Sequence, residues 1–219
     1  MKFSVSEENY IKGIYHLQHQ NGSANTNALA GHLQTKAASV TDMLKKLSAK
    51  KLLHYQPYKG FTLTEKGNKA ALMIVRRHRL WEFFLVEKLG FDWDKVHAIA
   101  EELEHVGGDE LIERLGNYLG NPLTDPHGDP IPDSQGRMPI IAQVTLCDLP
   151  LNKLLAVSAV TNQSPEMLEM LNYYGITIGS RIKVKKHFAF DGSLEIIVNK
   201  QSCVISGQAA KTIFVHYAE

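Results

Sequence analysis

The segment HAIAEELEH, residues 97–105, gathers imidazole and carboxylate side chains within a few positions. At 100° per residue, a helix would place two of its histidines and two of its glutamates on one face about 100° wide, while Glu102 would point elsewhere. Nitrogen and oxygen ligands without sulfur suit Mn(II) or Fe(II), and they can also hold Zn(II), Co(II) or Ni(II). The four residues of this face are His97, Glu101, Glu104 and His105.

A second pair of the same kind, His78 and Glu82, lies four positions apart on the preceding predicted helix. The plain alternative is a solvated acidic face with ion pairs between successive turns. Residues 82–113 carry ten acids against Lys88 and Lys95, a net charge of −8. Because carboxylates without basic partners repel one another, this imbalance favours a bound cation.

An earlier stretch has the opposite charge. Residues 36–59 carry six lysines against the single acid Asp42, a net charge of +5 that suits phosphate groups. Helical spacing predicts three helices before this point, with Ser6, Thr26 and Thr35 at their starts. The sequence LLHYQPYKGFTLTEKG then predicts a β-hairpin. This order is typical of a winged helix-turn-helix, although similar modules also bind only protein.

A helix that enters the major groove needs small polar residues for close approach and cations for phosphate contact. The third predicted helix supplies both but no arginine for bidentate base recognition, so specificity is expected to rest on thymine methyl contacts and DNA shape. Ordinary surface charge is the alternative for its lysines. The predicted DNA-binding residues are Thr35, Lys36, Ala38, Ser39, Thr41, Lys45 and Lys46, with Tyr58 and Lys59 on the wing.

Later elements complete an α+β fold class. Helices are predicted over residues 64–88, 92–106 and 109–119, and short alternating strands with one helix at 165–173 predict a five-stranded SH3-like β-barrel. Prolines between the two regions mark a linker. The predicted domains are a winged helix-turn-helix at 1–70, an all-α metal-binding and dimerisation domain at 71–120, a linker at 121–142 and the SH3-like domain at 143–219.

The composition is that of an ordinary globular protein, with 44% hydrophobic and 21% charged residues among 219. No signal peptide or membrane span is predicted, so we expect a cytoplasmic location. Cys147 and Cys203 are isolated, and we expect both to be small buried residues.

Several motifs together resemble the diphtheria toxin repressor family of metal-dependent transcriptional repressors. They are EENYIKGIYHL, ASVTDMLKKL, RRHRLWEFFL, KVHAIAEELEHV and DPHGDPIP, and they span essentially the whole chain in the family's order. The combination of HRLxE, EHV and HGDPIP is highly specific, whereas each alone is weak. The resemblance implies that His78, Glu82, Glu101, Glu104 and His105 are metal ligands, and that His97 is one as in longer, iron-type members.

The sequence also departs from the family's pattern. Glu101 agrees with manganese-type members, where iron-type members carry Cys. Asn9 stands where the family usually has Met or Asp, and its amide oxygen is a further candidate ligand. Lys12 stands where manganese-type members have a second carboxylate. Because the barrel of long members can donate a ligand pair, Glu166 and Glu169 are candidates as well.

Two other function classes compete with this interpretation. Glu102-Leu103-Glu104-His105 spells the E-x-x-H of carboxylate-bridged di-iron enzymes, but that architecture needs two such motifs and the sequence has one. A winged-helix adaptor would bind no metal. We expect a homodimeric, metal-activated repressor of metal-homeostasis genes that binds double-stranded operator DNA, with no catalytic activity, no membrane partner and no small organic substrate.

Overall fold

The computed structural model describes residues 3–21, 24–56, 60–141 and 144–218, without the side chains of residues 20, 21 and 56. No helix in these ranges is long and apolar enough to cross a membrane. The chain forms two compact units, each of which gathers segments from several predicted domains. The first contains Met1–Leu80, Glu101–Asn121 and Pro132–Met138, and the second contains Trp81–Ala100, Pro122–Ile131 and Pro139–Glu219.

Helix α1 (Val5–Asn21) begins with a reciprocal cap between Ser4 and Glu7. The Ser4 N–H donates to Glu7 Oε2 at 3.0 Å, and the Glu7 N–H donates to Ser4 Oγ at 3.3 Å. The prediction of Ser6 as the cap is therefore wrong, because the serine three positions before an acid is the one that can form both bonds.

Helices α2 (Thr26–His32) and α3 (Ala37–Ala49) form the helix-turn-helix. Asn25 rather than Thr26 caps α2, since its Oδ1 accepts the Ala28 N–H at 2.9 Å. Lys36 precedes the first residue of α3, so Thr35 lies just outside the helix that it was expected to open.

A hairpin of β1 (Leu53–Gln56) and β2 (Gly60–Leu63) follows, with Leu53 paired opposite Leu63. The predicted winged helix-turn-helix is thereby confirmed. Its core is a cluster of apolar side chains from all of these elements, which removes their surfaces from water. The fully buried members are Ile11, Ile14, Leu29, Val40, Leu44, Leu47 and Leu52.

Three further helices are α4 (Glu65–Leu89), α5 (Val96–Leu103) and α6 (Asp109–Tyr118). Helix α5 is shorter than the predicted 92–106. It ends in a turn in which the Val106 N–H bonds to the Leu103 carbonyl at 3.0 Å, followed by Gly107 with a φ of +86°. Glu104 and His105 therefore lie in this turn and not on the predicted helical face.

The second unit contains an antiparallel sheet of six strands in the order β3-β8-β4-β5-β6-β7. This is one strand more than predicted, because the two-residue β3 pairs with β8 at one edge. Helix α7 (Pro165–Tyr173) matches its prediction, and the short α8 (Gly207–Ala210) was not predicted. The strands are β3 (Val144–Thr145), β4 (Leu154–Val160), β5 (Arg181–His187), β6 (Leu194–Val198), β7 (Gln201–Ile205) and β8 (Ile213–Tyr217).

The core of the second unit lies between this sheet and α7. Val157, Ile182 and Ile196 from three strands pack in one cluster with Leu168 and Leu171 of α7. Both cysteines are free and pack against the edge of the cluster, half-buried rather than buried as expected. The difference follows from their positions, a short 3₁₀ turn for Cys147 and the edge strand β7 for Cys203.

The segment expected to be a linker has no helix or named strand between residues 121 and 141, yet part of it is buried. His127 is fully buried, and its carbonyl accepts the Val160 N–H of β4 at 2.8 Å. Gly128 has a φ of +85°, and a Cβ there would lie 2.0 Å from the Ser158 carbonyl oxygen. The backbone of this segment is therefore held against β4, and it does not act as a free tether.

We predict that Gly128→Ala lowers the free energy of unfolding by more than Gly90→Ala does. Both glycines have a positive φ, +85° and +70°, so alanine incurs a similar backbone penalty of about 1–2 kcal/mol at each. Only the Gly128 substitution also collides with β4, because nothing lies within 4 Å of a Cβ at Gly90. Urea unfolding of the two variants is the measurement, and equal losses would contradict the predicted close approach.

Candidate metal centre and nucleic-acid interface

Glu82, Asp125 and His127 form a compact group of potential ligands in the second unit. One ligand atom from each residue lies within 4.8 Å of the others. His127 Nδ1 is 3.9 Å from Glu82 Oε2 and 3.9 Å from Asp125 Oδ1, and no side chain of the three is more than 1% exposed. Two carboxylates and one imidazole thus converge in a space without bulk water.

The hydrogen bonding of His127 fixes which nitrogen can act as a ligand. Its Nε2 lies 2.9 Å from the Trp93 carbonyl oxygen. Since a carbonyl only accepts, Nε2 carries the proton and Nδ1 presents a lone pair in the neutral ring. Burial lowers the pKa of His127 and outweighs the opposing effect of Glu82, which favours that neutral ring. Nδ1 is buried without a hydrogen-bond partner, so the arrangement fits a divalent cation.

Backbone contacts hold the two ligands that follow α6. Asp125 Oδ1 accepts the N–H groups of His127 at 2.8 Å and Asp129 at 3.0 Å, closing a tight turn. The Trp93 ring packs against the His127 ring with centroids 5.5 Å apart. These contacts leave the imidazole little freedom to rotate away from Glu82.

Predicted ligands in the second unit have different outcomes. His97 Nδ1 lies 3.1 Å from Glu82 Oε1, so the structure brings these two together, with the His97 side chain 52% exposed. Glu166 and Glu169 are exposed on α7, and neither is among the groups of three close ligand atoms that the described residues form. Their role as ligands stays a prediction.

Asp125 and His127 were not among the predicted ligands, although both lie in the motif DPHGDPIP. The prolines and the glycine of this motif predict a linker. A histidine and aspartates inside such a turn-forming segment were the signal that could have identified them. Local pattern could not show the burial, since that depends on β4, some 30 residues later in the chain.

A different group in the first unit contains the remaining predicted ligands. Lys12 Nζ lies 2.7 Å from Glu101 Oε1, 2.7 Å from Glu104 Oε1 and 2.8 Å from Glu104 Oε2. His78 Nδ1 contacts Glu104 Oε2 at 2.7 Å. The Glu104 side chain is completely buried and that of Lys12 is 11% exposed. An ammonium group therefore occupies the position that Glu101 Oε1 and the two Glu104 oxygens would offer to a cation, so these three oxygens as arranged do not share a metal ion.

Glu8 and Arg77 extend this group. Glu8 Oε2 lies 2.6 Å from His105 Nδ1, and Glu8 Oε1 pairs with Arg77 Nη2 at 2.5 Å. Glu8 thus engages the ring nitrogen of His105. Asn9 Oδ1 is buried without a hydrogen-bond partner, and its residue lines a groove with Thr35 and Ser39, so its role as a ligand stays a prediction.

The first turn of α3 presents a small, exposed surface. Ala38 and Ser39 are exposed, as is Lys36 before them. Thr41 is half-buried and its Oγ1 donates to the Ala37 carbonyl at 3.0 Å, which ties its hydroxyl to the helix. Tyr58 and Lys59 lie outside the described residues, so their predicted contacts have no structural counterpart.

The two lysines predicted to contact phosphates differ in their surroundings. Lys45 is 65% exposed and its Nζ lies 3.7 Å from the carboxylate of Asp42, which is 80% exposed. Lys46 Nζ lies 3.1 Å from Oε1 of the buried Glu7 on α1. A hydrogen bond from Lys50 lowers the pKa of Glu7 from 4.5 to about 2, and Lys46 adds to that effect. Lys46 is therefore partly committed to holding α3 against α1.

Family models match almost the entire chain. Residues 2–61 match the iron-dependent repressor N-terminal DNA-binding domain, and residues 64–133 match the iron-dependent repressor metal-binding and dimerisation domain. Residues 144–217 match the FeoA domain. The order of the three confirms the predicted α+β architecture.

Individual relatives agree with these models. The iron-dependent repressor IdeR of Mycobacterium bovis is 34% identical over 125 residues, 57% of this chain and 54% of its own length. The diphtheria toxin repressor of Corynebacterium efficiens is 28% identical over 188 residues, 81% of each chain. A solved manganese-dependent transcriptional repressor in complex with manganese has a TM-score of 0.85 and 33% identity, and the match covers 97% of this chain and 100% of that one. The chain belongs to the diphtheria toxin repressor family of metal-dependent transcriptional repressors.

Proposed function

We propose that this protein is a repressor that binds operator DNA as a homodimer when Mn(II) or Fe(II) is bound, and that it has no enzymatic activity. The observation that carries the proposal is the buried group of Glu82, Asp125 and His127, in a chain whose relatives are named as iron- and manganese-dependent repressors. The match spans about half the length of the first curated relatives. DNA as a partner would place the protein in the cytoplasm.

The charge of the group explains why a cation belongs there. Burying carboxylates is costly, and Glu82 and Asp125 lie 3.9 Å from a histidine nitrogen with no proton to donate in the neutral ring. A bound divalent ion would supply two positive charges and accept the lone pair of His127. Two oxygen ligands and one nitrogen ligand suit Mn(II) or Fe(II), while Zn(II), Co(II) and Ni(II) remain possible ions in vitro.

A homodimer fits the surface of the helical segment in the first unit. Leu111 and Tyr118 are seven positions apart on α6 and so lie on one face, with exposures of 41% and 68%. Val106, just before this helix, is 55% exposed. These side chains are suitable for burial against a second copy, and two copies would present two α3 helices to successive half-sites of an operator.

We predict that His127→Ala and Glu82→Gln each abolish the Mn(II)-dependent increase in operator affinity. Each change removes a proposed ligand, whereas Glu87→Gln, an exposed position on the same helix, should leave the increase unchanged. Fluorescence anisotropy of labelled promoter DNA, titrated with protein at several Mn(II) concentrations, is the measurement. A normal metal response in both ligand variants would refute the proposed centre.

The surroundings of the two lysines lead to a second prediction. Lys45→Ala should lower the slope of log affinity against log salt by about one unit, because it removes one phosphate contact. Lys46→Ala should lower that slope less, since its ammonium is already paired with Glu7, and it should reduce thermal stability instead. Equal salt slopes for the two variants would show that the Glu7 pair does not persist on DNA.

A further inference from the structure

We propose that the ammonium group of Lys12 takes the place of a divalent metal ion at Glu101 and Glu104, so that α1 is fastened to the end of α5 without metal. The inference rests on the proposed repressor function, and it limits the metal response to the group that contains Glu82 and His127.

The oxygen atoms that a metal would use are already engaged. Lys12 Nζ contacts one oxygen of Glu101 and both oxygens of Glu104 at 2.7–2.8 Å. A divalent ion bonds to carboxylate oxygen at about 2.0–2.6 Å, so an ion shared by these same oxygens would need nearly the same space as Nζ. His78 Nδ1 occupies a further direction on Glu104 Oε2 at 2.7 Å. Metal binding here would first require Lys12 to leave.

Leaving would be unfavourable because of burial. The side chain of Lys12 is 11% exposed and that of Glu104 is fully buried, unlike a lysine pairing on the surface. Removing one partner of such a pair leaves the other charge buried and uncompensated, which is strongly destabilising. The contact of Lys12 with Glu104 is therefore a structural ion pair. A metal ion would have to compete with a cation that is covalently attached to the chain.

A second contact beside it has the same character. Glu8, which lies on α1 four positions before Lys12, contacts both Arg77 and His105. Its carboxylate is therefore also paired with a cation of the protein itself. The two contacts join α1 to residues 69 or more positions away in the sequence. The placement of α1 against these residues does not depend on an added ion at this point.

The test counts Mn(II) per chain by equilibrium dialysis followed by elemental analysis. We expect one Mn(II) per wild-type chain, lost in Glu82→Gln and retained in Glu101→Gln, whose side chain is partly exposed and so is tolerant of substitution. Lys12→Glu should bind one additional Mn(II), because a third carboxylate replaces the ammonium. Two Mn(II) per wild-type chain, with one lost in Glu101→Gln, would overturn the proposal.

Matched variants separate charge from position. Lys66→Glu makes the same charge change at an exposed site of α4 and should leave the count at one, whereas a second Mn(II) in this variant would overturn the argument from position. Lys12→Arg keeps a cation at this position and should also bind one Mn(II) per chain. Should Lys12→Glu fail to fold without metal, its refolding by added Mn(II), followed by thermal unfolding, gives the same answer, and no rescue by Mn(II) would overturn the proposal.

Operator binding distinguishes this proposal from the repressor function itself. With a chelator present, Lys12→Glu should bind operator about tenfold more weakly than wild type, and Mn(II) should restore it, because α1 would then depend on an added ion. If wild type binds one Mn(II) at Glu82 with no effect on operator affinity, the repressor proposal fails while the Lys12 assignment stands. If Mn(II) raises the operator affinity of wild type by displacing Lys12 from Glu101 and Glu104, the Lys12 assignment fails and the repressor proposal stands.

Discussion

Burial of negative charge is the constraint on which both groups of candidate ligands depend. Glu104, Glu82 and Asp125 have side chains with 0–1% exposure, and a carboxylate in such a place needs hydrogen bonds and a compensating cation. A basic side chain can supply that cation, as it does in the first unit. Alternatively, an unprotonated histidine nitrogen can lie beside the carboxylates, as it does in the second unit.

In the first unit the compensation is internal. Lys12 serves Glu104 and Glu101, and Arg77 serves Glu8. The same principle organises the DNA-binding surface, where Lys50 and Lys46 compensate the buried Glu7. Two of the lysines in residues 36–59 therefore form ion pairs within the protein. The positive charge available to phosphate groups is smaller than the net charge of this stretch indicates.

In the second unit an unprotonated histidine nitrogen lies beside the buried carboxylates. Nε2–H of neutral His127 donates to the Trp93 carbonyl, so Nδ1 carries no proton and faces Glu82 and Asp125. An ion bound here, as proposed, would stabilise this arrangement and would couple folding of the loop to metal binding. A repressor that responds to metal needs this kind of asymmetry between its free and bound states.

The sequence by itself determined the order of elements, the α+β class, the charge of each stretch and the family, because these follow from local periodicity and motif spacing. It also indicated His78, Glu82, His97, Glu101, Glu104 and His105 as one set of candidate ligands. Only the tertiary structure decided that Glu104 pairs with Lys12, 92 positions away, and that His127 lies buried beside Glu82. The physical reason is that burial and charge compensation depend on contacts between residues distant in the chain, which no local pattern encodes.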